Sequence, residues 1–148
     1  VGKIAPEVQR LLVVTLESLN LATRLIAIKK RWSEVASEIE AYVKDHHFSV
    51  VESMVGHGIG RELHEEPQAP NYVSKSFLRD GDFDLRPGLV IAVEPMVNLG
   101  CKDVKVRRDH WTQVTADGRP SAHFEHTIAI TKEGPLRLTA APGQERLD

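Results

Sequence analysis

The sequence holds a single cysteine, Cys101, in 148 residues. An internal disulfide is therefore excluded, and a reducing, cytoplasmic setting is the expectation. Charge of one sign is lacking too: 19 lysines and arginines face 21 aspartates and glutamates, a formal net charge of −2. A nucleic-acid binder would carry a basic stripe, so no nucleic-acid partner is expected. Long apolar runs are missing. The longest, Leu89 to Val93, is strand-sized and far short of the roughly 20 residues of a membrane span, so no membrane partner is expected. No basic stretch followed by an apolar one opens the chain, so no signal peptide is read. What is present is enough apolar residue, 41%, to build the core of one ordinary domain. The chain opens at Val1 rather than methionine, with no Ser, Thr or Asp helix-start signal in Val1 to Ala5. The expectation is a segment of a longer gene product.

Helical periodicity comes first. Pro6 suits a first helical turn and Glu7 complements the positive end of the dipole. Val8, Leu11, Leu12, Thr15, Leu19, Ala22 and Ile26 form one stripe of a 3.6-residue period, which predicts a helix from Pro6 to about Ala27. Ser33 is the candidate N-cap of a second helix running to about Asp45, with Val35, Ala36, Ile39, Tyr42 and Val43 as its apolar face.

β-rich runs follow at Phe48 to Val51, Leu89 to Val97, Trp111 to Thr115 and Ala122 to Thr131. Arg86-Pro87-Gly88 and Asp117-Gly118 punctuate them as turns. The polar stretch from Pro67 to Pro87 is read as a long loop with room for one turn of helix. Residues 141–148 are read as a flexible tail. Two helices followed by mostly antiparallel strands predict an α+β fold.

Three places break the pattern of a quiet core. Gly56-His57-Gly58-Ile59-Gly60-Arg61 surrounds one histidine with glycines, read as a tight turn free to approach a ligand. Arg61 stands where a dinucleotide fingerprint needs its third glycine, and no Lys-Ser/Thr pair makes a phosphate loop. Glu94 lies in an apolar run, sharing a face with Val90 and Ala92, where an unpaired carboxylate is costly. Glu125 shares a face with His123 and Thr127. Each has a plain alternative: a turn with an incidental histidine, an edge strand with Glu94 in water, a cross-strand salt bridge from Glu125 to Lys or Arg. Together, two strand carboxylates and one imidazole are a donor set for Mn, Fe, Co or Zn, suited to metal-assisted hydrolysis. His64, seven residues after His57, is a candidate to polarise a substrate carbonyl.

These residues carry a resemblance. Gly56 to Arg61, His64-Glu65-Glu66-Pro67, Pro70-Asn71-Tyr72, Arg86-Pro87-Gly88, Glu94-Pro95-Met96-Val97-Asn98, Trp111-Thr112 and Phe124-Glu125-His126-Thr127 together resemble the type I methionine aminopeptidases. The likeness runs from about Val1 to Leu138. It implies the C-terminal part of a pita-bread (creatinase/methionine aminopeptidase-like) fold, a curved antiparallel sheet with two helices packed on it. Residues 1–140 would then be an incomplete peptidase domain whose N-terminal half is missing. The resemblance implies two divalent ions, Co, Mn, Fe or Zn, with His57, Glu94 and Glu125 as ligands and Glu125 bridging. It makes Glu94 and His64 catalytic, Glu94 taking the proton of the attacking water and His64 steadying the carbonyl. It gives His64, Leu63, Trp111 and His123 to the substrate, His123 standing beside the site where the family often has Gln. The implied activity is removal of the initiator methionine from nascent proteins, met at the ribosome.

Departures qualify that expectation. The family's two aspartate ligands have no counterpart: Asp80, Asp82 and Asp84 belong to a polar loop, Asp103 and Asp109 to a hairpin region. The chain by itself is therefore expected to be inactive or impaired, with an apolar face of the first helix left without a sheet partner. Ile28-Lys29-Lys30-Arg31 is two residues shorter than the family's usual turn, so a strained link is expected. His110 precedes Trp111 where glycine is usual. The alternatives are a non-catalytic pita-bread module that binds proteins, and a proline-directed peptidase of the same fold.

Overall fold

A computed structural model describes residues 2–146. The helix α1 runs Pro6–Ile26 and the helix α2 Trp32–Asp45, both close to the expected bounds. The stripe on α1 is buried at Leu11, Thr15, Leu19, Ala22 and Ile26, while Val13 and Leu16 on its other side stay exposed. On α2, Trp32, Val35, Ala36, Ile39 and Val43 are buried and Tyr42 is only partly so.

Ser33 is not the N-cap of α2. That position falls to Arg31, which is extended, because the acceptor for the helix's free amides comes from elsewhere in the chain. Asp82 accepts from the Ser33 backbone N–H at 2.9 Å and from its hydroxyl at 2.8 Å. Glu34 reaches back to the amides of Arg31 and Lys30 at 2.9 and 3.0 Å. A carboxylate at a helix N-terminus satisfies orphan donors and meets the dipole favourably. The link Ala27 to Arg31 carries no left-handed residue; among the described residues the non-glycine ones with positive φ are His47 and His110. The strain expected there takes no such form.

Among the described residues ten short strands follow, and every ladder between them is antiparallel. They are β1 (Ser49–Val50), β2 (Gly56–Gly58), β3 (Glu65–Ala69), β4 (Val90–Val93), β5 (Met96–Asn98), β6 (Val104–Val106), β7 (Gln113–Thr115), β8 (Ser121–His123), β9 (His126–Thr131) and β10 (Gly134–Arg137). One sheet is ordered β10-β9-β4-β2-β3, a second β1-β5-β8, and β6-β7 form a separate hairpin. The α+β class read from the sequence is the one observed. The loop between β3 and β4 contains a single π-helical turn, Phe77–Gly81. From residue 141 to 146, where a flexible tail was expected, the chain folds back on β10. Arg137 N–H donates to the Glu145 carbonyl at 2.8 Å, and Arg146 donates to the Glu133 carbonyl at 3.0 Å. Residues 147 and 148 lie outside the described residues.

The main core lies between the helices and the five-stranded sheet. Leu19, Ala22, Trp32, Val35 and Ile39 meet Ile91, Val93, Ile128 and Ile130 there. Trp32 is fully buried, its indole N–H donates to the Pro70 carbonyl at 2.8 Å, and its ring stacks on Phe83. A second cluster joins Leu11, Val14 and Val43 to Val50, Val97 and Ala122 of the smaller sheet.

Candidate metal centre

The segments Leu89 to Val97 and Ala122 to Thr131 are not continuous strands. Each is broken in the middle by two residues: Glu94-Pro95 separate β4 from β5, and Phe124-Glu125 separate β8 from β9. The register pairs Val93 with His126 on one side of the gap and Met96 with His123 on the other. The breaks therefore face each other, and there the two strands pass from the larger sheet to the smaller one. Proline has no N–H to give a ladder. The Glu94 carbonyl is held instead by the Asn71 side-chain amide at 3.2 Å. Phe124 packs toward the core and leaves Glu125 exposed on the other side. Neither carboxylate matches its plain alternative: Glu94 is 14% exposed, and no Lys or Arg pairs with Glu125 among the described residues.

His57 arrives from the neighbouring strand. The Gly-His-Gly run is not a turn but β2, paired with β3 on one side and β4 on the other. Its glycines take no positive φ. What they supply is the missing Cβ. A side chain at Gly56 would overlap the Ala92 carbonyl oxygen, and one at Gly58 the Glu66 carbonyl oxygen. The close approach is to neighbouring backbone. His57 pairs with Ala92, two residues before Glu94 on the same face.

The result is a cluster centred on Glu94. His57 Nε2 lies 3.6 Å from Glu94 Oε1, and His123 Nε2 lies 3.3 Å from Glu94 Oε2. Ligand atoms of Glu94, His123 and Glu125 all fall within 4.8 Å of one another. His57 Nδ1 is 2.9 Å from the Gly58 carbonyl; a carbonyl only accepts, so Nδ1 donates. In the neutral ring, Nε2 then presents a lone pair to Glu94 Oε1, and two lone pairs face each other unless a proton or a cation lies between them. This is the arrangement in which a second partner fixes the tautomer of a metal-binding histidine. The imidazole and carboxylate donors fit a divalent cation. The hydrogen bond to Glu94 raises the pKa of His123 above its ordinary value, burial opposes the shift, and the charges of Glu94 and Glu125 reinforce it. Among the described residues no aspartate joins the cluster. Asp82 caps α2 and Asp84 pairs with Arg31.

The cluster lies in a cleft of about 1360 Å³ whose walls include His57, His64, Glu94, Met96 and His123. The His64 ring packs on that of His57, with centroids 4.3 Å apart. The opposite wall is the β6-β7 hairpin, which lines the cleft with Lys105, Arg107 and Arg108. Leu63 and Trp111 are 67% and 87% exposed and are not part of these walls. The site residues thus divide. His57, His64, Glu94, His123 and Glu125 converge, whereas Leu63, next to His64, and Trp111, at the tip of the hairpin, are exposed outside the cleft lining. His123, expected beside the site, stands within the group of possible metal donors. Asn71 gained no role from the sequence beyond the Pro70-Asn71-Tyr72 motif; it stands after β3, far from Glu94 in the chain, and its part appears only when the fold sets it against the Glu94 carbonyl.

The model of metallopeptidase family M24 matches residues 1–132. The chain is 47% identical over 134 residues to methionine aminopeptidase 1 of Bacillus subtilis, covering 90% of this chain and 52% of that protein. The crystal structure of methionine aminopeptidase from Thermotoga maritima superposes with a TM-score of 0.87 at 43% identity, covering 95% of this chain and 55% of that one. Prolidase from Pyrococcus furiosus shares the fold at 23% identity and a TM-score of 0.67. The chain spans about half the length of the curated relatives it matches.

Proposed function

The chain belongs to metallopeptidase family M24, with the pita-bread fold, and from that premise we propose that it carries the His57, Glu94 and Glu125 part of a methionine aminopeptidase centre. The observation that bears most weight is the convergence of both imidazoles on the two oxygens of Glu94. The activity is hydrolysis of the first peptide bond of a polypeptide that begins with methionine. The complete centre would take two divalent ions, Co, Mn, Fe or Zn, held in part by His57, Glu94 and Glu125. When bound, such ions polarise the scissile carbonyl and acidify water. The protein's own residues do the rest. Glu94 takes the proton of the attacking water on a carboxylate oxygen. His64, steadied against His57, donates a hydrogen bond to the carbonyl oxygen. Leu63 and Trp111, exposed as they are, are apolar surface for the methionine side chain to gather.

His57, Glu94 and Glu125 supply too few donors to hold two ions, so the reading requires further carboxylates from outside the residues described here. The 148 residues alone are accordingly proposed to be impaired in turnover. The test is release of free methionine from a Met-Ala-Ser peptide in Co(II) or Mn(II), beside an Xaa-Pro peptide. It is run with the natural gene product and with these 148 residues. Cleavage of the methionyl peptide by the gene product supports the reading. Preference for Xaa-Pro, or metal binding to neither form, overturns it in favour of the proline-directed peptidase or the non-catalytic binding module.

A further inference from the structure

The two oxygens of Glu94 do not have the same surroundings. Oε1 faces His57 from β2, and Oε2 faces His123 from the end of β8. The group whose donor atoms lie within 4.8 Å of one another is Glu94, His123 and Glu125, and it does not include His57. A cation among those three atoms would meet two carboxylates and one imidazole, all from a single strand crossing. We propose that His123 is itself a metal ligand, so that the chain offers an imidazole on each side of Glu94.

Three observations carry this. His123 and Glu125 are alternate residues, so they leave the chain on one side while Phe124 packs toward the core. The Met96–His123 pair fixes the height of His123 beside the Glu94 break, and the imidazole nitrogen stands 3.3 Å from Oε2. His123 is 46% exposed, so a solvated ion reaches it without any rearrangement of the core. A glutamine at this position would offer an amide oxygen, a weaker and harder donor. Replacing it by imidazole shifts preference from Mn(II) toward Co(II) and Zn(II), which bind nitrogen better. The inference deepens the metal-centre reading and rests on it for the class of ion, not for the peptidase activity.

The test counts imidazoles on the ion. Purified protein is titrated with Co(II), followed by visible absorption, and the adduct is examined by proton NMR for exchangeable imidazole N–H signals shifted by the paramagnetic ion. Each coordinated histidine gives one such signal. The unaltered protein should show two, His123→Gln one, and His57→Gln the other one. His123→Gln should weaken Co(II) by at least about tenfold and Mn(II) by less. His123 is on the surface, so the variant is expected to fold, and an unchanged far-UV spectrum confirms it. If His123→Gln leaves the signal count and the Co(II) affinity as they were, His123 is no ligand and the inference falls, while the roles proposed for His57, Glu94 and Glu125 survive. If the unaltered protein shows no shifted imidazole at all, the inference falls together with the metal-centre reading.

Discussion

The two walls of the cleft are built differently. One is formed by β2 and by the broken strands β4/β5 and β8/β9, and its back is the main core: Ile91, Val93 and Ile128 are fully buried beneath the helices. The other is the β6-β7 hairpin, three residue pairs long, whose Val106 and neighbouring Trp111 are 56% and 87% exposed. The first wall carries Glu94 and the imidazoles of His57, His64 and His123, the second the basic residues Lys105, Arg107 and Arg108 beside Asp109. Donors that must meet within a few ångströms are mounted on packed strands, where a side chain has little freedom. The hairpin has no such backing and is expected to open before the core does.

The sharpest way to break this comparison is to remove the backing. Trp32 fills the core behind the carboxylate wall, fully buried, with its N–H satisfied by Pro70. Trp32→Ala should cost about 3–5 kcal/mol of unfolding free energy, read by denaturant titration. A cost under about 1 kcal/mol would mean that the donor wall does not depend on this core.

Next comes a change on the donor side of that wall, at the break between β4 and β5. Glu94→Gln keeps the shape and removes the charge. Co(II) affinity should fall by more than the roughly 10–100-fold that outer partners of a metal typically cost. Stability of the metal-free protein should move by less than about 1 kcal/mol, since the change trades a half-paired carboxylate for an amide. Metal binding with little fold dependence on Glu94, beside fold dependence without metal binding on Trp32, would separate the two faces. A large loss of stability from Glu94→Gln would join them.

Much of this layering was legible in the sequence. The helical stripe from Leu11 to Ile26 and the alternation around Ile91 and Val93 depend on near neighbours in the chain, and both faces were read correctly. The strand breaks were not. Glu94-Pro95 and Phe124-Glu125 acquire their meaning from the register that sets them opposite each other, which is a long-range fact. Gly56-His57-Gly58 was misread as a turn for the same reason: its glycines answer to the Ala92 and Glu66 carbonyls, which are distant in sequence. The cap of α2 was assigned to Ser33 because the signal is local, while Asp82, 49 residues on, does the work.

Asp82 gives the third prediction. Its side chain is 6% exposed. Burial pushes its pKa up, but hydrogen bonds from Arg31 and Ser33 and the Arg31 charge outweigh that and hold it below the ordinary 3.8. A depressed carboxylate adds stability that is fully present above the unfolded pKa and is lost as pH falls through the folded one. Asp82→Asn should therefore cost about 1–3 kcal/mol at neutral pH and flatten the fall of stability below pH ~4. The parent and variant curves should converge in acid. If they stay parallel, the charge of Asp82 is not what holds the start of α2.

The smallest effect belongs to the hairpin. His110 has φ +57°, where the resemblance leads one to expect glycine. Asp109 fixes this tip by accepting from the Trp111 and Thr112 amides at 3.0 and 2.9 Å and from the Thr112 hydroxyl at 2.6 Å. A residue with a Cβ pays roughly 1–2 kcal/mol in the left-handed region, while glycine gives back about 0.5–1 kcal/mol through its freer unfolded chain. His110→Gly should thus stabilise the hairpin by up to about 1.5 kcal/mol. Where that gain shows is the informative part. If the hairpin unfolds with the core, the melting temperature rises. If it opens alone, as its exposure implies, the melt stays fixed and the amide of Arg107 exchanges more slowly, because its N–H donates to the Thr112 carbonyl across the tip. A rise in melting temperature would tie the basic wall to the rest of the fold and end the contrast between the two sides of the cleft.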